Sequence, residues 1–191
     1  MNTRRSWWIA LVLSALAAPL AARAQDDFGR TGPYLGLAGS LGIYTRIENE
    51  LDDLGIDVDV EEPLGANARV GYRFHPHVSA EAEVEWLSDA DIDVDGGGTA
   101  GNFQTITSTA NAKAFLLTGR VQPFALIGLG AMVAEAGGDA EWDFAARFGL
   151  GGDIYITRNF YAALDVSYVL PVDDVEKLDF VSIGWGFGYR F

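Results

Sequence analysis

The sequence predicts an all-β fold: an eight-stranded, antiparallel, up-and-down transmembrane β-barrel with short periplasmic turns and acidic extracellular loops. Three observations carry that prediction. Large apolar residues alternate with small or polar ones at a period of two, no segment after the N-terminal leader is apolar long enough for a spanning helix, and the minor face of the alternation balances acids against bases. The balance is local, because the 191 residues hold 27 Asp or Glu against 13 Lys or Arg, a formal charge of −14. So acidic a chain repels phosphate backbones, which excludes nucleic acid as a partner. It has no cysteine, hence no disulfide and no thiolate metal site. Its 23 glycines are interleaved with aromatic residues instead of being gathered in linkers.

The elements follow in chain order. Arg4 and Arg5 precede an apolar run from Trp7 to Leu20, and Ala22-Arg23-Ala24 supplies small residues at the two positions a signal peptidase reads. Residues 1–24 are therefore expected to be a signal peptide and residues 25–191 the barrel domain. Losing Arg4, Arg5 and Arg23 and no acid leaves 10 bases against 27 acids. A first strand, about Tyr34 to Arg46, is rich in glycine and leucine, so its facing is ambiguous. The second alternates Ala66, Ala68, Val70, Tyr72 and Phe74 with Asn67, Arg69, Gly71 and Arg73. A third sets Val78, Ala80, Ala82, Val84 and Trp86 against Ser79, Glu81, Glu83 and Glu85, and the fourth sets Ala110, Ala112, Ala114 and Leu116 against Thr109, Asn111 and Lys113. The fifth, Phe124 to Ala136, is again ambiguous. The last three place Trp142, Phe144, Phe148 and Leu150, then Phe160, Leu164, Val166 and Tyr168, then Val181, Ile183, Trp185, Phe187, Tyr189 and Phe191 on one face. Tight turns are expected at His75-Pro76-His77, around Gln122-Pro123 and at Thr157-Arg158-Asn159, with longer polar connections at 47–63, 90–103, 136–140 and 171–177.

A barrel of eight strands is just wide enough for side chains to fill, so charges on the inner face must find partners. Inward parity collects Glu81, Glu83, Glu85, Glu141, Asp143, Asp153 and Asp165 against Arg46, Arg69, Arg73, Lys113, Arg147 and Arg190. Closely packed, these charges plug the lumen; more loosely packed, with inward glycines leaving space, they line a narrow pore. If the turn at Pro76 is the symmetry point, paired residue numbers sum to 152, which sets Arg69 opposite Glu83. The outward face should reject charge, so that Phe187→Arg or Leu164→Arg impairs insertion while Gly186→Ser is far milder. Trp86, Trp142, Tyr72, Tyr168 and Tyr189 read as an interfacial aromatic girdle.

The signal peptide, Leu35-Gly36-Leu37-Ala38-Gly39, Val70-Gly71-Tyr72-Arg73-Phe74 followed by Glu81-Ala82-Glu83, and the ending Gly186-Phe187-Gly188-Tyr189-Arg190-Phe191 resemble the small eight-stranded outer-membrane β-barrel family of Gram-negative bacteria. That group includes the opacity-type porins and the OmpA-, OmpX- and OmpW-like barrels. The resemblance implies a cell-outer-membrane location, contact with outer-membrane lipid and lipopolysaccharide, and handling by the barrel-assembly machinery, for which Trp185, Phe187, Tyr189 and Phe191 would be the assembly signal. Of the biological role it implies little, because the fold carries adhesins, anchors, narrow pores and a few lipid-modifying enzymes.

No catalytic constellation is visible. The two histidines, His75 and His77, flank Pro76 in a turn, with Ser79 the nearest nucleophile type. The expectation is a non-enzymatic barrel with a structural or surface-interaction role, set against a passive pore for small solutes and, third, a lipid-modifying enzyme. A host or surface ligand is not specified by the residues, and no cofactor is expected; the acidic stretches at 47–62 and 91–102 read either as solvated loops or as a divalent cation site. For that site, Asp57, Asp59 and Glu61 share the parity of Asn67 and Arg69, while Asp91, Asp93 and Asp95 share that of Glu81 and Glu83. The sum of 152 then opposes like charges, which is destabilising unless neutralised, and oxygen-only clusters suit Ca²⁺ or Mg²⁺.

Overall fold

The computed structural model describes residues 28–44, 58–60, 62–94, 98–136, 139–172 and 179–191. These form nine β-strands and, among the described residues, no helix. They are β1 (Gly32–Tyr44), β2 (Val58–Val60), β3 (Leu64–His75), β4 (Val78–Val94), β5 (Gly98–Phe115), β6 (Val121–Ala136), β7 (Asp139–Tyr155), β8 (Phe160–Val172) and β9 (Phe180–Arg190). All pairings are antiparallel, β1 pairs with both β3 and β9, and β4 pairs with β5, so the sheet closes. β2 and β3 lie on the same side of β4 and make one interrupted stave, which leaves an eight-stranded barrel. The interruption falls beside Pro63, whose carbonyl accepts a hydrogen bond from the Gly42 amide.

Alternation reports the two faces as expected. Leu129 is 71% exposed and Phe187 57%, while Arg147, next to the outward Phe148 on β7, is fully buried. Exposure of this kind along β1 and β3 to β9 suits a hydrocarbon surround and would be a liability in water. The two ambiguous strands resolve with apolar residues on both faces: Tyr34, Tyr44, Phe124, Leu126 and Met132 point inward, whereas Leu35, Leu37, Ile127 and Leu129 point outward.

Three sequence expectations need correction. The β5–β6 turn lies at residues 116–120, and Gln122 and Pro123 belong to β6, where Pro123 near the strand start disturbs little of the ladder. The connection expected at 90–103 is mostly strand, because β4 runs to Val94 and β5 begins at Gly98. Seventeen residues of β4 at about 3.3 Å each, tilted by about 40°, reach about 43 Å along the barrel axis, well beyond the roughly 25 Å apolar band. Gly186 is no neutral position either, since a Cβ there would collide with the Leu37 carbonyl and the Ala38 backbone of β1.

Candidate functional site

The barrel interior is the candidate site, and its charged side chains come from walls that face each other. Eleven charged residues are buried on inward strand faces: Arg69, Arg73, Lys113, Arg147 and Arg190 against Glu81, Glu83, Glu85, Asp143, Asp153 and Asp165. Arg69 of β3 reaches past β1 and β9 to grip Asp165 of β8 with two bonds, Nη1–Oδ1 at 2.8 Å and Nη2–Oδ2 at 3.0 Å. It also meets Glu83 at 3.1 Å, its cross-strand partner in the β3–β4 register. Gly184 of β9 makes the reach sterically clean, because a Cβ there would stand 3.1 Å from the Asp165 carboxylate and 3.3 Å from Arg69 Nη2.

Arg147 of β7 answers from the other side. Its guanidinium donates to Glu83 at 3.1 Å, to Ser167 at 3.2 Å and, closely, to Glu85. The same carboxylates accept from Asn111 at 2.9 Å and from the Ser182 hydroxyl at 2.5 Å. A second cluster joins Lys113 to Glu81 at 3.0 Å, with the Tyr34 hydroxyl donating to Glu81 at 2.8 Å and lying 3.1 Å from Ser79. The bonds of Arg69 and Arg147 to Asp165, Glu83 and Glu85 form a belt across the lumen, with the Lys113–Glu81 cluster beside it. Glu81, Glu83 and Glu85 each accept from at least two side chains and Asp165 takes a two-bond grip from Arg69, the condition under which a buried charge is tolerated.

Four inward glycines are filled from the neighbouring strand. By register Tyr34 faces Gly71, Tyr161 faces Gly188, Phe124 faces Gly151 and Asn111 faces Gly128. In each case the larger side chain occupies the place a Cβ would take. This cross-strand filling packs the interior with rings lying against bare backbone. Beneath the belt, a void lined by Asn67, Arg69, Lys113, Asp153 and Tyr161 measures about 10 Å³, room for about one water molecule. Towards the loop end Tyr44, Leu87, Met132, Val169 and Phe180 are all buried, with the Tyr44 and Phe180 rings 5.5 Å apart.

Not every inward charge pairs. Arg73 donates to Gln122 Oε1 at 2.6 Å and to the Pro76 carbonyl, and its guanidinium lies over the Phe115 ring at 3.8 Å. Arg190 donates to the Phe28 carbonyl at 2.7 Å and lies over Tyr155 at 5.1 Å. A planar, weakly hydrated guanidinium can be solvated by carbonyls and ring faces in place of a carboxylate. Asp143 accepts from its neighbour's amide, Phe144 N, at 2.6 Å, and Asp153 lines the void. Glu141 is exposed at the outer part of β7 and takes no place in the lumen, while Arg46 lies outside the described residues.

The cation-site residues divide similarly. Asp59 of β2 and Asp93 of β4 are register partners, as the sum of 152 requires, and Asp91 pairs in β4–β5 with Asn102. Asp57, Glu61 and Asp95 lie outside the described residues. Among the described residues no three His, Cys, Asp or Glu side chains converge as a metal site. His77 holds the Phe115 carbonyl through Nδ1 at 2.7 Å, and Ser79 points into the barrel towards Tyr34, so His and Ser form no catalytic pair. Of the girdle residues, Trp86, Trp142, Tyr72 and Tyr189 are exposed, and the Tyr168 hydroxyl donates to Asp179. Tyr34, Asn111, Gln122, Ser167 and Ser182 entered the network unannounced; a polar residue at inward parity was their only signal.

A model of the outer membrane protein beta-barrel domain matches residues 8–191, nearly the whole sequence. The chain belongs to that family. Its location is accordingly the outer membrane, and the closed barrel is a membrane-spanning one. Among solved structures it is similar to OprG of Pseudomonas aeruginosa, with 14% identity and a TM-score of 0.62 over 87% of this chain and 99% of that one. Neisserial surface protein A gives 13% identity and a TM-score of 0.62 over 84% and 97% of the two chains. Ail, the attachment invasion locus protein of Yersinia pestis, gives 18% identity and a TM-score of 0.53 over 84% and 97%. At such identities family members share the fold alone. No curated protein sequence matches the chain.

Proposed function

We propose that this protein is a non-enzymatic barrel whose work is structural or done at the cell surface, with a lumen closed by its own charged side chains. The observation that carries this reading is the belt from Arg69 and Arg147 to Asp165, Glu83 and Glu85, buried on both partners and backed by glycine seats that aromatic rings fill. Eight staves leave little interior to begin with. What is then left for interaction is the loop end, where residues 45–63 hold eight acids and one base and residues 88–103 hold four acids and no base.

That charge selects partners. Ail has been captured with the heparin analogue sucrose octasulfate; a polysulfate would be repelled by loops as acidic as these, so a cationic or divalent-cation-bridged surface such as lipopolysaccharide suits them better. Barrel lipid and, during biogenesis, the assembly machinery acting on Trp185 to Phe191 complete the proposed partners. Liposome swelling tests the closed lumen. Proteoliposomes holding the full chain should swell in small sugars and amino acids no faster than empty liposomes, and swelling that scales inversely with solute size would replace this reading with the narrow-pore one.

A further inference from the structure

At the turn end the chain crosses the barrel mouth before it enters β1. Phe28 and Gly29 are buried there, the Phe28 ring packs on Tyr155 at 5.3 Å, and Gly29 is tucked against Thr118 and Pro76. The crossing then passes through Gly32, whose φ of +144° favours glycine. The Phe28 carbonyl is the focus of the contact, accepting from Arg190 Nη1 at 2.7 Å and from Gln122 Nε2 at 3.0 Å. Gln122 in turn accepts from Arg73 at 2.6 Å, so the Arg190 guanidinium and the Gln122 amide, from β9 and β6, converge on one oxygen while the Arg73 guanidinium of β3 stands behind the amide. Arg73 and Arg190 are each 1% exposed or less, neither is paired with a carboxylate among the described residues, and the Nε of each has no partner.

We propose that residues 28–31 are a removable strap over an oxyanion-binding vestibule formed by Arg73, Arg190 and Gln122. The Phe28 carbonyl stands where an anion oxygen would stand. Two buried guanidiniums without a carboxylate are a costly arrangement unless oxygen acceptors solvate them. The strap supplies such an acceptor to Arg190 when it is seated and leaves Arg73 to the Gln122 and Pro76 oxygens; a phosphate-class anion supplies both guanidiniums when it is not, through charge-assisted and bidentate bonds. Strap and anion therefore compete for one site. The vestibule ends at the belt, so its occupancy is separate from conduction through the lumen, and failure of either reading leaves the other standing.

The test uses the full chain, folded in a phosphate-free detergent, with inorganic phosphate as probe in calorimetric titration. Phe28→Ala removes the ring that seats the strap without touching the three anion ligands. Apparent affinity scales with the fraction of molecules whose site is open, so Phe28→Ala should bind phosphate about tenfold more tightly than wild type, and Phe28→Ala with Arg190→Gln should lose the gain. Arg73→Gln serves in place of Arg190→Gln if the latter fails to fold. Because the sequence has no cysteine, Ala163→Cys places a single thiol at the void between the vestibule and the belt, and a small water-soluble thiol reagent should label it faster in the Phe28→Ala background. Repeating the titration in phosphatidylcholine vesicles with and without phosphatidylglycerol separates the sources: competition assigns a lipid headgroup, its absence the free ion. Equal phosphate affinity and equal labelling in wild type and Phe28→Ala, or a gain that survives loss of the arginine, would overturn the proposal.

Discussion

Replacing Arg147 by methionine removes the cation that two buried glutamates share while keeping a side chain of similar length. Its consequences are unequal. Glu83 keeps Arg69 at 3.1 Å and Asn111 at 2.9 Å, whereas Glu85 keeps only the Ser182 hydroxyl at 2.5 Å. One carboxylate is thus left buried without a countercharge, which costs about 3–5 kcal/mol when a buried pair is broken from one side. Adding Glu85→Gln neutralises the orphan and leaves an acceptor for Ser182, so the double variant should be more stable than Arg147→Met alone. Urea unfolding of the full chain in lipid vesicles, followed by tryptophan fluorescence, measures both. A single variant within about 1 kcal/mol of wild type, below the range for a broken buried pair, or a double variant less stable than the single, would refute the belt as an energetic unit.

Other consequences are as specific. Gly71→Val should displace the Tyr34 ring from its seat and pull its hydroxyl from Glu81, costing about 1–3 kcal/mol as an overpacked core does; near-ultraviolet circular dichroism and thermal unfolding report both effects, and a native tyrosine signal would count against the glycine seat. Leu164→Arg, at a site 58% exposed on the outward face, should cost about 2–4 kcal/mol if it lies at the midplane, read as slower insertion into vesicles, and Gly186→Ser should also impair folding because β1 backbone occupies the space. Calcium titration calorimetry examines the opposed Asp59 and Asp93: saturable binding at millimolar calcium that disappears with Asp59→Asn and Asp93→Asn would establish a shared cation, and absent heat would mean that solvent alone screens the pair.

Much of the barrel was legible because a strand's side chains alternate with a period of two, and in β3, β4, β5, β7, β8 and β9 one face is large while the other is small or charged. The same rule failed for β1 and β6. There the inward face carries Tyr34, Tyr44, Phe124, Leu126 and Met132, so both faces are apolar and the period disappears. Register was legible around Pro76, where a tight turn fixes the sum of paired numbers and brought Arg69 against Glu83. Gln122-Pro123 misled because proline is a turn signal that also fits a strand's first residues. Long-range partners could not be read at all: the Arg69 to Asp165 bond joins strands separated by two others, and only closure of the sheet makes them face each other. Nor could the glycines be interpreted singly. A bare backbone looks like free space until the residue opposite is known, and at Gly71, Gly151 and Gly188 that residue is a ring.

Planar-bilayer recording of the full chain tests the closed belt most directly. Wild-type protein should insert without ion-conducting steps, and Arg69→Ala with Arg147→Ala, which removes the two guanidiniums spanning the lumen, should give small discrete steps from the same preparation. Steady ohmic conductance from wild type, unchanged by the double substitution, would contradict the account.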